Sequence, residues 1–386
     1  MTRGTAQPRT WLAAVGVLFT INGFAWANWV PRIPEIQRDL DLSIATLGLV
    51  LAAYGAGGFL GSALSGPIID LLGSRAAAGQ GTVAIGVSMA FIALAPNAFT
   101  IAGVLLVVGT VDAIADLGMN AQAAEAQSRH GRWLMGRFHA MWSLGTLIGA
   151  AAGSVASQLA IPLGAHLGVV AVLTVTTTLW SLRHLEPIEP VGRVGAKRSV
   201  SRRALVLAGL AVAVGVGEGS AGDWSAVISA EIYGLGAGAI GLAFVGFSGA
   251  MLLGRLGTDR VIEVVGAGRM ALLSSGTALV GTVAIVATPN AVVALVGFVA
   301  LGFGMAALFP ILYNTAASAG DTSAGTGLAL MSVGGRVGFI LGPVLIGWIS
   351  EITDLRIGFG AAVILATLII GSAASRFGTV EVRQPA

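Results

Sequence analysis

Twelve apolar stretches, each roughly twenty residues long and separated by short polar or proline-bearing breaks, settle most of what this chain can fold into. They fall near residues 11–30, 43–68, 76–95, 98–122, 135–160 and 164–182, and again near 204–230, 239–258, 270–288, 291–315, 326–349 and 357–375. A helix of that length crosses the hydrocarbon of a bilayer, where each backbone N–H and C=O must find its partner inside the segment. Only 10% of the 386 residues are charged, against roughly a quarter in a soluble chain. The solvent this sequence expects is lipid. Its 57 glycines agree, because small residues let helices approach closely where lipid removes the hydrophobic drive for association.

The same composition excludes several functions. With no cysteine there is no disulfide, thiolate metal site or cysteine nucleophile. His130, His139, His166 and His184 have no metal-ligand spacing, so neither a metal nor any other cofactor is expected. An enzyme would want a nucleophile with its base, or a soluble domain, and neither is apparent. The net charge of +3 does not point to nucleic acid, since the basic residues sit in short loops where they set membrane orientation. The first apolar stretch, carrying Asn22 and Asn28 and followed by no small-residue cleavage site, reads as a retained helix and not a signal peptide.

The longest polar stretch, Arg183 to Arg203, divides the chain into residues 1–182, a linker at 183–203, and residues 204–386. Placing the linker in the cytoplasm puts most Lys and Arg on that side, with both termini cytoplasmic and Arg32, Arg38 and Arg356 outside. Arg336 then stands as the one cation deep in a span. The two halves resemble each other at an offset of about 193 to 196 residues. Asn22-Gly23 and Asn28-Trp29 match Glu218-Gly219 and Asp223-Trp224, Gly48 matches Gly241, Asn120 matches Asn314, and Gly145, Gly149 and Gly153 match Gly338, Gly342 and Gly347. The fold class expected is an all-α membrane protein, with twelve transmembrane helices in two pseudo-symmetric six-helix bundles.

After the second span the chain reads Gly66-Pro67-Ile68-Ile69-Asp70-Leu71-Leu72-Gly73-Ser74-Arg75, which resembles the G-x-x-x-D-R-x-G-R-R loop of the major facilitator superfamily, with Leu71 and Ala76 in place of two basic residues. The second half keeps Asp259-Arg260 and Gly268-Arg269 at altered spacing. Asp116-Leu-Gly-Met-Asn120, the run Gly136 to Gly145 and Glu218 to Ser225 are similar to the MosC/YbjJ-like bacterial branch of that superfamily. The resemblance covers the whole chain. It implies a multi-pass carrier of the bacterial inner membrane, working as a monomer by alternating access, with a central cavity lined chiefly by spans one, four, seven and ten. It also implies that Asp70 and Arg75, with Asp259 and Arg260 as their repeat, act as a state-dependent latch; the plainer reading is simple loop charge.

Ionisable groups inside hydrocarbon are costly and mark functional candidates. Asp112, Asp116 and Asn120 recur every four residues and so share one face of span four. Two readings stand for the carboxylates: proton coupling, or hydrogen bonds to neighbouring helix ends. In span seven, Glu218 and Asp223 lie among four glycines, which predicts local unwinding there. Glu218 is a candidate proton or solute site, and Asp223 either a solute site or an outer-end contact. Asn22, Trp26 and Asn28 in span one, Trp224 in span seven, and Tyr313 and Asn314 beyond a kink expected at Phe309-Pro310 are candidate solute contacts. Trp29 reads as an interfacial belt residue. His139 is either a proton relay or structural. Arg336 needs a partner, either a carboxylate across the bundle interface or an anionic solute.

With four carboxylates set against that one arginine, the expected cargo is a small polar solute, sugar-like, cyclitol or amine, moved with protons, although Na⁺ suits the same oxygens. The alternatives are a drug or metabolite efflux antiporter, disfavoured by the missing proline in span five, and an uncoupled facilitator or solute sensor.

Overall fold

A computed structural model of the chain describes residues 9–130, 134–188, 200–317 and 324–374, without the side chains of Arg9, Asp259, Ala317, Ala324 and Gly325. Every regular element among the described residues is a helix. The first half comprises α1 (Arg9–Ala27), a 3-10 turn (Val30–Arg32), α2 (Ile33–Asp39), α3 (Ile44–Ile92), α4 (Ala98–His130), α5 (Met135–Gln158) and α6 (Leu163–His184). The second comprises α7 (Arg202–Glu231), α8 (Ala237–Ile240), α9 (Leu242–Val265), α10 (Ala267–Ala287), α11 (Ala291–Ala306), α12 (Leu308–Ala317), α13 (Ala324–Ile352) and α14 (Leu355–Ser372). Ser43, Ser201, Asn290 and Asp354 start α3, α7, α11 and α14 by accepting from backbone amides of the first turn, as N-caps do.

Eleven helical segments are long and apolar enough to cross a membrane. One of them, α3, has 49 residues and would measure about 74 Å as a single rod, well beyond a bilayer's ~45 Å. Gly73, at φ 80° and ψ 157°, breaks it into two spans, α3a and α3b, so that the spans number twelve. Only glycine adopts that conformation without strain. Gly266 repeats it at φ 82° and ψ 155° between α9 and α10, and 266 − 73 gives 193, the offset of the sequence repeat. The two bundles thus turn at matching points with matching backbone.

Within each bundle, glycines bring backbones into contact. A methyl group added at Gly145, Gly149 or Gly153 of α5 would overlap the carbonyl oxygens of Thr20, Phe24 and Asn28 on α1. The equivalent stripe on α13 meets α7, with Gly334 and Gly338 against the carbonyls of Ala208 and Val212. The glycines of α7 serve this packing, because Gly215 meets Gly335 and Gly338, Gly217 meets Met305, and Gly219 meets Phe339. The unwinding expected around Glu218 is therefore absent: α7 is a continuous helix of 30 residues. By contrast, the tenth span does break beside Pro310, at Ala307, and the proline sits in the first turn of α12 where a missing N–H costs little.

The bundles meet along two seams. On one, Gly48, Gly55 and Gly58 of α3a face Pro343, Phe339 with Ile340, and Arg336 of α13, and the Ala45 amide donates to Glu351 (3.1 Å). On the other, Ser154 and Leu147 of α5 meet Gly241 and Gly249 at α9, and Arg255 reaches Ser143. These contacts run from the end of the molecule opposite the linker down to mid-span. Nearer the linker, a methyl at Gly66, Gly136 or Gly257 would touch nothing within 4 Å.

At the end opposite the linker, Arg32, expected outside the membrane as an orienting charge, is only 1% exposed. It donates to Glu35 (2.6 and 2.8 Å), the Ile161 carbonyl (2.9 Å) and His166 Nδ1 (3.3 Å), and His166 Nε2 meets Asn28 Oδ1 at 3.0 Å. Trp29, read as a belt residue, is 3% exposed and packs in the core, because the turn at Val30–Arg32 folds it back over α1.

Leucine at Gly145 should overpack the α1–α5 crossing and lower the detergent-solubilised Tm by roughly 5 °C or more. Leucine at Gly103, where a methyl meets open space, should leave it unchanged.

Candidate functional site

In α4, Asp112 and Asp116 stand one turn apart, and each finds a different set of donors. The Asp112 carboxylate accepts from Asn22 Nδ2 (3.1 Å, α1) and from the Tyr54 hydroxyl (2.8 Å, α3a). Asn22 Oδ1 accepts in turn from Trp142 Nε1 (2.8 Å, α5), which fixes the amide's orientation and links four helices through one carboxylate. Asp116 accepts from Asn120 Nδ2 at 2.9 Å, one turn further on. Both carboxylates remain only partly buried.

Facing them from the second bundle, Arg336 lies against Gly58 with its charge felt by Asp112, Asp116, Tyr54 and Tyr313, and it makes no hydrogen bond to a described residue. The cross-bundle carboxylate partner expected for Arg336 thus lies within its electrostatic reach without direct contact. Tyr313 marks the centre of the arrangement, since Asp116, Arg336 and Glu218 all act on it electrostatically. Its neighbour Asn314 is exposed, and Phe309 stacks between Tyr313 and Phe339 at 6.0 and 6.3 Å.

Glu218 sits midway along α7, paired with Arg255 of α9: Nη2 donates to Oε1 at 3.0 Å. The other terminal nitrogen, Nη1, donates to Ser143 Oγ of the first bundle at 3.2 Å. Glu218 Oε2 is buried and accepts from no described residue. His139, one turn before Ser143, is exposed, lies edge-on to Phe19 at 5.5 Å and feels the Arg255 charge.

Arg255 corrects the sequence reading twice. It lies inside the eighth span, so Arg336 is not the one intramembrane cation, and Asp112, Asp116 and Glu218 face two arginines. The signal was present, a lone arginine in Gly254-Arg255-Leu256-Gly257, but that run reads equally well as a charged helix end.

Other predicted residues lie apart from this centre. Asn28 is fully buried in the far-end cluster, donating to the Phe24 carbonyl (2.7 Å) and meeting His166. Trp224 is wholly buried, and Asp223 is half-buried with no hydrogen bond to a described residue. Trp26 connects the two regions: it packs against Tyr54 (6.0 Å) and edge-on to Phe244 (5.8 Å) in the second bundle, and its Nε1 is buried without a described partner. At the linker end Asp70 and Arg260 are exposed and Arg75 is half-buried, and neither arginine makes an ion pair with a described residue; the Asp259 side chain lies outside the described residues, as do linker residues 189–199. No cluster of three or more metal-ligating side chains occurs among the described residues. A surface crevice lined by Gln80, Val83, Val87 and Leu179 lies on the outside of α3b and α6, away from the charges.

A family model described as Major Facilitator Superfamily matches residues 15–324 and 224–384. Among curated proteins, the chain is 31% identical to "Uncharacterized transporter y4wD" of Sinorhizobium fredii over 357 residues, 91% of this chain and 94% of the relative. It is 29% identical to "Membrane protein MosC" of Rhizobium meliloti over 376 residues, 95% of this chain and 89% of the relative. Among solved structures, the nucleoside transporter NupG superposes with a TM-score of 0.73 at 14% identity, covering 96% of this chain and 98% of that one. A bacterial homologue of the human lysosomal transporter Spinster, in an inward-facing and occupied conformation, gives 0.70 at 15% identity, with 97% of each chain covered.

The chain has no native cysteine, so a single introduced thiol reports on access. Asn314→Cys should react with a membrane-impermeant maleimide applied from the linker side, whereas Ser220→Cys, fully buried on α7, should stay unlabelled until the protein is denatured.

Proposed function

The chain belongs to the Major Facilitator Superfamily of membrane transporters, and we propose that it moves a small polar solute, sugar-like, cyclitol or amine, by proton-coupled alternating access. The observation that carries this reading is that partly buried charges from both bundles stand at the two seams: Arg336 against Gly58 near Asp112 and Asp116, and Glu218 bridged through Arg255 to Ser143. Charges in hydrocarbon persist where they face one another or a wetted cavity, and the junction of two moving bundles is where a carrier needs them.

We infer further that the conformation is inward-facing. Contacts seal the end opposite the linker down to Arg336 and Ser143, while Gly66, Gly136 and Gly257 face open space toward the linker. Arg129, Arg183, Arg202, Arg203, Arg260 and Arg269 gather at the linker end, which the positive-inside rule assigns to the cytoplasm of a bacterial inner membrane.

In this reading Asp112, Asp116 and Glu218 are the proton sites, with His139 beside Arg255 as a relay. Asn22, Trp26, Asn120, Tyr313 and Asn314 contact the solute, and Asp223 and Trp224 belong to the outer approach. Asp112, Asp116 and Glu218 against two guanidinium groups leave the region acidic by one charge when all are ionised, which favours a neutral or cationic solute over an anion. The carrier acts as a monomer. Na⁺ is the competing coupling ion, since the same oxygens suit it.

A thermal-shift screen of metabolites at two pH values should identify the solute, and its uptake should then be followed in proteoliposomes. With one proton per solute, each unit of ΔpH should change the steady-state accumulation ratio by about tenfold; accumulation indifferent to ΔpH rules out proton coupling. Glu218→Gln should reduce transport to background while the Tm stays within a few degrees, and wild-type rates in that variant remove Glu218 from the site.

A further inference from the structure

The two arginines occupy related places. Arg336 of α13 rests on Gly58 of α3a, and Arg255 of α9 reaches Ser143 of α5. Under the internal repeat the two contacts lie about one helical turn apart with their partners exchanged, because Arg336 stands 193 positions after Ser143 whereas Arg255 stands 197 after Gly58. Both guanidinium groups come from the second bundle and reach toward the first. They differ in what holds them: Arg336 has no hydrogen bond to a described residue, whereas Arg255 is shared between Glu218 on its own bundle and Ser143 on the other.

We propose that Arg255 is a positioning residue that couples the loading of Glu218 to the contact between the bundles, a role that rests on the transporter reading above and deepens it. Glu218 presents two inequivalent oxygens: Oε1 is held by Arg255, and Oε2 is buried without a described donor. Oε2 is therefore the atom at which a proton, or a hydroxyl or ammonium donor of the solute, binds. An empty, ionised Glu218 holds the guanidinium by full charge and keeps its Nη1 aimed at Ser143. A proton or cation on Oε2 weakens that hold, leaves Arg255 with only a neutral hydroxyl across the seam, and frees α5 from α9. The empty carrier is thereby kept from reorienting at this seam. The groups facing the bridge are His139 of α5, whose ring feels Arg255, and Tyr313 of α12, which feels Glu218 and through which Arg336 and Asp116 connect to it.

The test needs no knowledge of the solute, because the proton itself is the probe. Spin labels on Gly136→Cys and Gly257→Cys, two open positions flanking the seam in a chain otherwise without cysteine, report the α5–α9 separation by pulsed electron resonance in nanodiscs. Between about pH 8 and pH 5 the ratio of long to short distances should fall by roughly tenfold as the linker side closes, the scale of losing one charge-assisted hydrogen bond. Glu218→Gln should hold the low ratio at both pH values, Arg255→Gln should abolish the response, and Arg255→Lys should restore part of it. His184→Gln and Glu125→Gln, titratable groups away from both seams, should leave the response in place, which separates this bridge from general surface titration. If Arg255→Gln does not fold, Ser143→Ala cuts only the arm that crosses the seam and should shrink the response by several-fold. A wild-type response in Arg255→Gln or in Ser143→Ala overturns the proposal. Accumulation indifferent to ΔpH, with the distance response intact, would instead overturn proton coupling and leave the bridge standing.

Discussion

Backbone touching backbone at glycine is the contact on which this molecule depends. Lipid offers helices no hydrophobic reason to associate, so cohesion must come from packing, and packing is tightest where a side chain is absent. The α5 stripe against the carbonyls of α1, its repeat on α13 against α7, and Gly48, Gly55 and Gly58 across the first seam are one device used three times. The first two build each bundle as a rigid unit. The third lets whole bundles lie flush without interlocking side chains, a surface suited to parting and re-forming.

Upon that apolar frame the polar groups are set in two classes. Some are saturated and structural, such as the Arg32, Glu35, His166 and Asn28 cluster, or Gln122 at the base of α4, which accepts from Trp11 Nε1 (3.0 Å) and donates to Ser74 Oγ (3.1 Å) and the Glu186 carbonyl (2.9 Å). Others are left incomplete: Glu218 Oε2, Arg336 and Trp26 Nε1 lack described hydrogen-bond partners. A fully paired group costs a membrane protein little, while an incomplete one is costly unless something else completes it during the working cycle. Glu218 and Arg336 lie at the seams, and Trp26 packs across them onto Phe244.

How much of this could be read from the residues depended on the range of the interaction. The number of spans and the two-bundle repeat are written in local hydropathy and in residues recurring at a fixed offset, whereas the turn shared by Gly73 and Gly266 was missed, because the loop resemblance pointed to Gly268 instead. The shared face of Asp112, Asp116 and Asn120 followed from helical spacing, whereas the Asn22–Asp112 contact did not. What sequence could not settle was which of two local explanations a residue obeys. Glycines around Glu218 suit an unwound helix and a closely packed one equally, and only the presence of α13 and Phe339 decides for packing. Arginine near a helix end suits solvent and a buried partner equally, and only the position of Glu218 decides for Arg255. Asn28 and Asn22 look alike in sequence, yet one faces His166 and the other Asp112, because helix rotation relative to distant neighbours is not a local property.

The break in the first span has an effect on how the far side can open. Helix α7 runs on where its counterpart α1 stops and turns into α2, so the repeat is broken here, and the extra short helix lies across α7. Arg32 fastens that short helix to α6 through His166 and to the loop before it through the Ile161 carbonyl. It is thus a cap riveted to one bundle and merely resting on the other. Uncovering the outer mouth requires no unfolding: the cap must travel as cargo of the first bundle, sliding off the tip of α7 as the halves tilt.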